Sequence, residues 1–587
     1  MRPLSDSTHK AMLPVGRTTI LARIVTSLRE IGVDVINVVT GYRADEVEDY
    51  LTSSCSGPTY RFVRNPHYET TNNIVSLRLA LDALEDDEDI LLTECDLLLS
   101  PGMFERLAGS GRGNSALVGR YRAGMDGTVV TLRDGLVSRV VPPDAQGPAF
   151  EYRDTYKTLN VYRFSHPFCR DVLAPGLREH VDAGDSSIYY EVVLARLGDL
   201  TEHGIAGEIV EDDTWAEVDD PHDLAAARFQ FEPERRAAVL DRTLGGHWNF
   251  AVTDFAFMRN AYFPTDAMLA SMRHALAELV DSYGSTQHVL NEKLAWFLEC
   301  APEHVEALNG AAQAFPLLRR LWADRTVAVP APTFGEYAAA FPDALTYADA
   351  PGIDPFELER MAAQVDVLVL VNPNNPTGTT LPTADLWSLA ARHPATHFLV
   401  DESFIEFSEE PSMLRALEAN GLQNVTVLCS LSKTLGVPGL RIGYLYSRDR
   451  SFLDAVDRDI PVWNMGAVAE YFVELLLKFR PQLAASLEQT RVDREQFASS
   501  LASVPMVADV APSGGNFLLV RLLGPTDAAH RLRERLLVSE AIDLKDVTAK
   551  FDDGRPRIRL AVRRPAENQR LTAVLRRLGS PESLVMS

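Results

Sequence analysis

Ser430-Leu-Ser-Lys-Thr-Leu-Gly-Val-Pro-Gly-Leu-Arg-Ile-Gly-Tyr444 decides how this chain is read. It follows Val425-Thr-Val-Leu428, an apolar run with the length of a buried strand. It then sets Lys433 beside Ser430 and Ser432, with Arg441 eight positions later among glycines and a proline. An amine that can bond to an aldehyde, with hydroxyls and a guanidinium to hold a phosphate, is one reading of that set. A surface lysine in a glycine-rich loop is the other, and the neighbouring motifs decide between them.

Three further polar clusters stand at the ends of apolar runs. Asp401-Glu-Ser-Phe-Ile-Glu-Phe407 begins where Phe398-Leu-Val400 ends. Asn372-Pro-Asn-Asn-Pro-Thr-Gly378 follows Val367-Leu-Val-Leu-Val371, and Asn309-Gly-Ala-Ala-Gln313 precedes an apolar helical run. Buried strands alternating with helices predict a mostly parallel α/β sheet, whose sites lie beyond the carboxyl ends of the strands. The four clusters together fit one ligand, pyridoxal 5′-phosphate (PLP). Asp401 can pair with the pyridinium nitrogen and keep it protonated, and Asn375 can reach the ring oxygen. Ala311 and Ala312 can offer backbone N–H groups at a helix start to the phosphate.

From about residue 246 onward these motifs resemble the fold-type I, PLP-dependent enzymes of the class I/II aminotransferase group. The resemblance implies a large α/β domain followed by a small α+β subdomain. It makes Lys433 the Schiff-base lysine and puts Ser430, Ser432 and Arg441 on the cofactor phosphate. It also implies a cofactor contact from Phe334 and a grip on the substrate carboxylate by Arg559, within Arg557-Ile-Arg-Leu-Ala-Val-Arg563. Solvated edge charge is the plain reading of that arginine-rich strand. Asn260-Ala-Tyr-Phe-Pro264 resembles the segment whose tyrosine, here Tyr262, reaches the cofactor of the neighbouring subunit, which implies a homodimer. Decarboxylation and transamination both stay open. Asp401–Phe407 and Pro438-Gly-Leu-Arg441 resemble the threonine-phosphate decarboxylase branch. Phe334 and Phe404 stand where histidinol-phosphate aminotransferases usually carry Tyr. Decarboxylation is the favoured reading, on a substrate with a phosphate or phosphonate tail.

The first 228 residues carry different clusters. Lys10 stands just before an apolar turn in Arg2-Pro-Leu-Ser-Asp-Ser-Thr-His-Lys-Ala-Met-Leu-Pro-Val-Gly16. Asp96 ends Thr93-Glu-Cys-Asp96, and Asp219 lies in Trp215-Ala-Glu-Val-Asp-Asp-Pro-His-Asp-Leu224. Two aspartates from distant strand ends can share Mg²⁺ with nucleotide phosphates, while a lysine neutralises triphosphate charge. Helix caps and surface acid are the plain reading of each cluster alone. Together they resemble the sugar-phosphate and phosphocholine nucleotidyltransferase family, which implies a Rossmann-like domain. Asn65-Pro-His-Tyr68, Asn72-Asn73 and Lys157-Thr-Leu-Asn-Val-Tyr162 resemble its cytidylyltransferase branch, which uses CTP. By that resemblance Asn73 and Lys157 bind substrate, Lys157 at the acceptor's phosphorus oxyanion. The family opens with an apolar strand and a glycine-rich loop, and here Met1 stands where that loop should be ending. The expectation is a start set too late, because the downstream residues are intact.

The chain has 587 residues, enough for three to four units of about 150 residues. A net charge of −25 argues against a general nucleic-acid binder. With 46% hydrophobic and 24% charged residues, disordered and collagen-like chains are excluded. Five widely spaced cysteines without a CxxC predict free thiols in a reducing compartment. No apolar run approaches the roughly 18 residues of a membrane span. The first residues lack the apolar core of a signal peptide, so the expected location is the cytoplasm. The charged, helix-prone segment that runs into Gly245-Gly246 marks a junction. The expected organisation is a nucleotidyltransferase domain over 1–228, a linker over 229–246 and a PLP unit over 247–587. The pairing resembles bifunctional enzymes of phosphonate-antibiotic biosynthesis. That implies decarboxylation of 2-amino-4-phosphonobutyrate to 3-aminopropylphosphonate, and CTP-dependent joining of the phosphonate to CMP. A cytidylyltransferase fused to an aminotransferase is the alternative, and a nucleotide-sensing first half is a third.

Overall fold

The computed structural model describes residues 2–579 apart from 85–86, 123–124, 148–149, 198–199, 211–214 and 351. The chain forms two compact units, Met1–Ala251 and Val252–Ser587. Residues 229–246, expected as a linker, fold within the first unit as the end of helix Pro221–Phe231 and helix Arg236–Thr243. Their charge is one-sided: Phe229 and Leu240 are buried, and Phe229 stacks on Phe250 at 4.5 Å. Glu232, also buried, adds a polar anchor by accepting from the Gly16 N–H at 2.8 Å.

The second unit is built on a seven-stranded sheet. Its order is Val305–Asn309, Ile442–Ser447, Val425–Ser430, His397–Asp401, Val367–Val371, Val327–Ala331 and Leu345–Ala348. Only Ile442–Ser447 runs antiparallel to its neighbours. The central strand Val367–Val371 is apolar throughout because both faces are covered. Val367, Val369, Val371 and Leu399 pack into one core, and Leu368, Leu370, Phe398 and Val400 into the other. That is the two-residue period of a strand with a helix layer on each side. The small subdomain is an antiparallel sheet ordered Val507–Val510, Phe517–Leu522, Arg557–Ala561, Lys545–Asp546. Ala529, Leu532, Leu571 and Leu575 from two helices bury one of its faces.

The first unit departs from the mostly parallel expectation. Its six-stranded sheet runs Ile90–Thr93, Tyr156–Phe164, Asn114–Arg120, Ile205–Ile209, Leu136–Val141, Val129–Arg133. Only Asn114–Arg120 and Ile205–Ile209 pair in parallel. One cause is local: Asp134 and Gly135 both take positive φ, 53° and 77°, and close a tight hairpin. Val35–Thr40 and Thr59–Arg64 form a separate parallel pair. The apolar runs Ile36–Val39 and Ile90–Leu92, which by sequence alone look like buried strands, lie in Val35–Thr40 and Ile90–Thr93 and are half-buried. Among the described residues each leaves one edge without a strand partner. No described helix is long and apolar enough to cross a membrane.

Phe398 is fully buried beside the strand end that carries Asp401. Phe398→Ala is expected to cost about 3–5 kcal/mol of stability, and Phe398→Leu clearly less. Denaturant midpoints of the two variants check this.

Candidate active sites

The register of the parallel strands sets their polar ends side by side: Val371 pairs with Asp401, and Asp401 with Leu428. Lys433 lies on Leu431–Thr434, the short helix directly after Val425–Ser430. The Asp401 carboxylate is buried. One oxygen accepts from the Ser403 N–H at 3.0 Å and the Ser403 hydroxyl at 2.6 Å, and the other from the Tyr337 hydroxyl at 2.7 Å. Burial pushes its pKa up, against the pull of those hydrogen bonds and of Lys433. Burial, followed by Arg559 and Arg441, lowers Lys433 to about 8. Asn375 and Arg559 come from different subdomains and meet: an Arg559 N–H donates to the Asn375 side-chain oxygen at 2.6 Å. A second Arg559 N–H donates to the Ala256 carbonyl at 2.6 Å, and its Nε is buried without a partner.

The phosphate end is assembled from loops. Arg441 adopts φ 54°, and Gly310 opposite adopts φ 77°. A Cβ on Gly310 would sit 2.5 Å from an Arg441 guanidinium nitrogen, so any larger residue would push the guanidinium aside as well as strain the backbone. Ala311 and Ala312 open the turn that leads into helix Ala314–Leu321. Ser430 donates its N–H to the Ser403 hydroxyl at 3.0 Å. Ser432 is fully buried and its hydroxyl has no partner among the described residues. A buried lysine, a buried carboxylate, an orphan hydroxyl and a guanidinium over a glycine cradle fit the donor set that PLP requires.

Other expected residues stand differently. Phe334 is 42% exposed at the start of helix Gly335–Ala340, its ring 6.2 Å from Phe315. The aromatic that holds Asp401 is Tyr337, three residues on. Tyr262 donates to Asp493 of its own chain, with the Arg564 guanidinium 5.5 Å over its ring. Lys550, which the sequence did not single out, donates to the Thr333 carbonyl at 2.6 Å and lies in the field of Arg559.

In the first unit Lys10 joins two aspartates distant in sequence, with Nζ 2.5 Å from Asp96 and 3.1 Å from Asp219. Burial alone would lower the lysine, but Asp96 beside it raises it well above the usual range. The second Asp96 oxygen is buried without a partner among the described residues. Among the described residues no three of His, Cys, Asp and Glu could hold a metal. Two carboxylates with one orphan oxygen fit a Mg²⁺ ion completed by nucleotide phosphates. Lys157 is 3% exposed and pairs with Glu217 at 3.0 Å. Gly127, at φ 84°, makes space for it: a Cβ there would lie 2.5 Å from Nζ. Asn73 donates to Glu94 at 3.2 Å and accepts from the Tyr190 N–H at 2.9 Å. Burial raises Glu94 to about 8 and Glu191 to about 7. Asn73 and Lys157, expected at the substrate, thus hold carboxylates that the sequence left unassigned.

Residues 247–575 match the family of aminotransferase class I and II, and residues 4–193 the MobA-like NTP transferase domain. Over 97% of its length the chain is 31% identical to CMP-5′-(3-aminopropyl)phosphonate synthase of Streptomyces rubellomurinus, covering 92% of that protein. Over 52% of its length it is 28% identical to L-serine phosphate decarboxylase of Sulfurospirillum multivorans, covering 81% of it. A solved decarboxylase structure from Sulfurospirillum multivorans shares the fold at TM-score 0.51 and 24% identity, over 59% of this chain and 99% of that one.

Two outcomes follow from this geometry. Lys433 is nucleophilic when neutral, so capture of PLP by the cofactor-free protein should speed up as pH rises through about 8 and level off above. Stopped-flow absorbance measures it, and a midpoint near that of free lysine would contradict the lowered value. Gly310→Ala displaces Arg441 and should weaken PLP retention roughly tenfold to a hundredfold, as loss of a charged hydrogen bond does. Equilibrium dialysis gives the number.

Proposed function

The chain belongs to the aminotransferase class I and II family, and on that premise we propose that it is a two-step phosphonate enzyme. The second unit removes CO₂ from 2-amino-4-phosphonobutyrate to give 3-aminopropylphosphonate. The first unit joins that phosphonate to CMP, consuming CTP and releasing pyrophosphate. The protein works in the cytoplasm as a homodimer through its second unit. The observation that carries the reading is the similarity to the Streptomyces synthase, which covers 97% of the chain and so extends over both units.

The residues divide the labour. Bound PLP supplies the electron sink for the pair left behind when the carbon–carbon bond breaks. Lys433 would hold it through its side-chain amine, and that amine, once free, would be placed to give a proton to the carbon that loses the carboxylate. Asp401, held by Ser403 and Tyr337, keeps the ring nitrogen protonated. Ser432, Arg441 and the Ala311–Ala312 turn take the cofactor phosphate. Arg559, aligned by Asn375, and Lys550 present two cations to a substrate with two anionic groups. In the first unit Asp96 and Asp219 would hold Mg²⁺ against the nucleotide phosphates. Lys10 balances charge on the triphosphate, and Lys157 orients the phosphonate oxygen that attacks the α-phosphorus.

Carboxyl-labelled substrate tests the second unit: labelled CO₂ should appear without any keto acid, and Lys433→Ala should abolish it. Asp219→Asn should slow CMP transfer on the order of a hundredfold while leaving CO₂ release intact. Retention of the label with a strict keto-acid requirement would make the second unit an aminotransferase.

A further inference from the structure

The second unit holds a cavity of about 490 Å³ that the proposed reactions leave unused. Its size falls in the range of small-molecule sites, about 300–1,000 Å³. No residue assigned above to the cofactor or the substrate lines it. Its walls come from the segment Phe257–Phe263, from the end of strand Arg557–Ala561 and the residues after it, and from Gly436.

Three guanidiniums converge on this cavity, from Arg259, Arg563 and Arg564, against one carboxylate, Glu567. Arg563 is committed: it donates to Glu567 at 2.9 and 2.6 Å and to the Asp254 carbonyl at 2.9 Å. Arg564 spends only its Nε, on the Ala261 carbonyl at 3.1 Å, and lies over the Tyr262 ring. Arg259 is exposed and makes no hydrogen bond or ion pair among the described residues. Two cations thus share one cavity without a carboxylate to answer them, in a chain whose net charge is −25. Guanidinium groups in that state suit a phosphate, whose oxygens their planar forks grip in pairs. The rest of the lining is largely apolar, and it includes the ring of Phe257, 44% exposed. Phe257 and Arg259 stand on either side of the buried Met258, and both face the cavity. An inorganic phosphate would meet the cations and leave the apolar wall bare. A ligand with a flat ring at one end and a phosphate at the other meets both.

We propose that the cavity is a nucleotide site, with the phosphate on Arg259 and Arg564 and the base against Phe257, and that its occupant weakens substrate binding at the PLP cluster. One wall serves both places. The Asn260 N–H donates to the Lys433 carbonyl at 2.9 Å, and the Asn260 side chain to the Thr434 carbonyl at 2.9 Å. Ala256, beside Phe257, accepts from Arg559 at 2.6 Å. Ala561, which lines the cavity, lies two residues past Arg559 in one strand, about 7 Å along it. That is within the Debye length of about 8–10 Å. A phosphate bound there offsets the field of Arg559, and a substrate with two anionic groups is held less tightly. The site stands outside both proposed reactions, and the CMP-bearing product proposed for the first unit is a nucleotide of this kind.

Cross-linking tests the site independently of those reactions. The holoenzyme is irradiated with 4-thiouridine 5′-monophosphate, and adducts are mapped by peptide mass spectrometry. An adduct on the peptides that hold Phe257–Phe263 or Ala561–Glu567 is expected, removed by CMP and lost in Arg259→Glu. That side chain is exposed and unpaired, so the circular dichroism of the variant should match the parent. No adduct in the second unit would overturn the site, as would one that Arg259→Glu retains or that inorganic phosphate removes as readily as CMP. The second readout is the affinity for 2-amino-4-phosphonobutyrate, followed by the visible absorbance of the bound cofactor. CMP should weaken it about fivefold or more in the parent protein and leave it unmoved in Arg259→Glu. An unchanged affinity in the parent, or equal weakening in both proteins, would overturn the coupling. No absorbance response to the amino acid would overturn the decarboxylase reading and the coupling with it, while the nucleotide site would still stand on its adduct.

Discussion

The second unit depends on a carboxylate that is buried without an ion pair among the described residues. Asp401 has spent its oxygens on Ser403 and Tyr337, and burial still pushes its pKa up. Such a group stays ionised at neutral pH when a cation arrives to face it, and a protonated ring nitrogen is that cation. The register that aligns Val371, Asp401 and Leu428 fixes where it sits, and the helix carrying Tyr337 fixes how it points. Burial, and then the positive charge of Arg559 and Arg441, lowers Lys433 and makes it available as a nucleophile; burial and Arg559 lower Lys550 as well.

The two units carry opposite electrostatic problems, and their substrates answer both. The second concentrates cations and meets a molecule with a carboxylate and a phosphonate. The first concentrates carboxylates around Lys10 and Lys157, and the proposed acceptor brings an amine. Removing CO₂ thus changes the charge of the substrate in the direction that the second step needs. Coupling through charge requires no contact between the units and no channel.

Strand-end chemistry was legible in the sequence. Lys433, Asp401 and Asn375 each follow an unbroken apolar run, and an α/β sheet must bring such ends together. Lys10, Asp96 and Asp219 were legible only together, as a lysine and two aspartates in motifs that resemble a nucleotidyltransferase, although Asp219 lies 209 residues from Lys10. The supporting residues were not. Tyr337 reaches Asp401 from 64 positions away, and Lys550 reaches Thr333 from 217. In the strand Tyr156–Phe164 a register shift between Thr158 and Tyr162, with Asn160 at φ 54°, breaks the alternation that would have assigned faces. Tyr162 accordingly carried no role of its own beyond closing the Lys157–Tyr162 motif. Glu191 did leave a trace, as one acid heading the apolar Glu191-Val-Val-Leu194. The Asp134-Gly135 pair likewise announced the hairpin that makes the first sheet mixed.

The central claim is that one chain performs both steps in series on one molecule. Time-resolved mass spectrometry of the full protein with 2-amino-4-phosphonobutyrate, CTP, Mg²⁺ and PLP tests it most directly. The account predicts that 3-aminopropylphosphonate appears first and is then converted to a product that has lost CO₂ and gained CMP. CMP attached to the unchanged amino acid, or a decarboxylated product that never gains CMP, would contradict it.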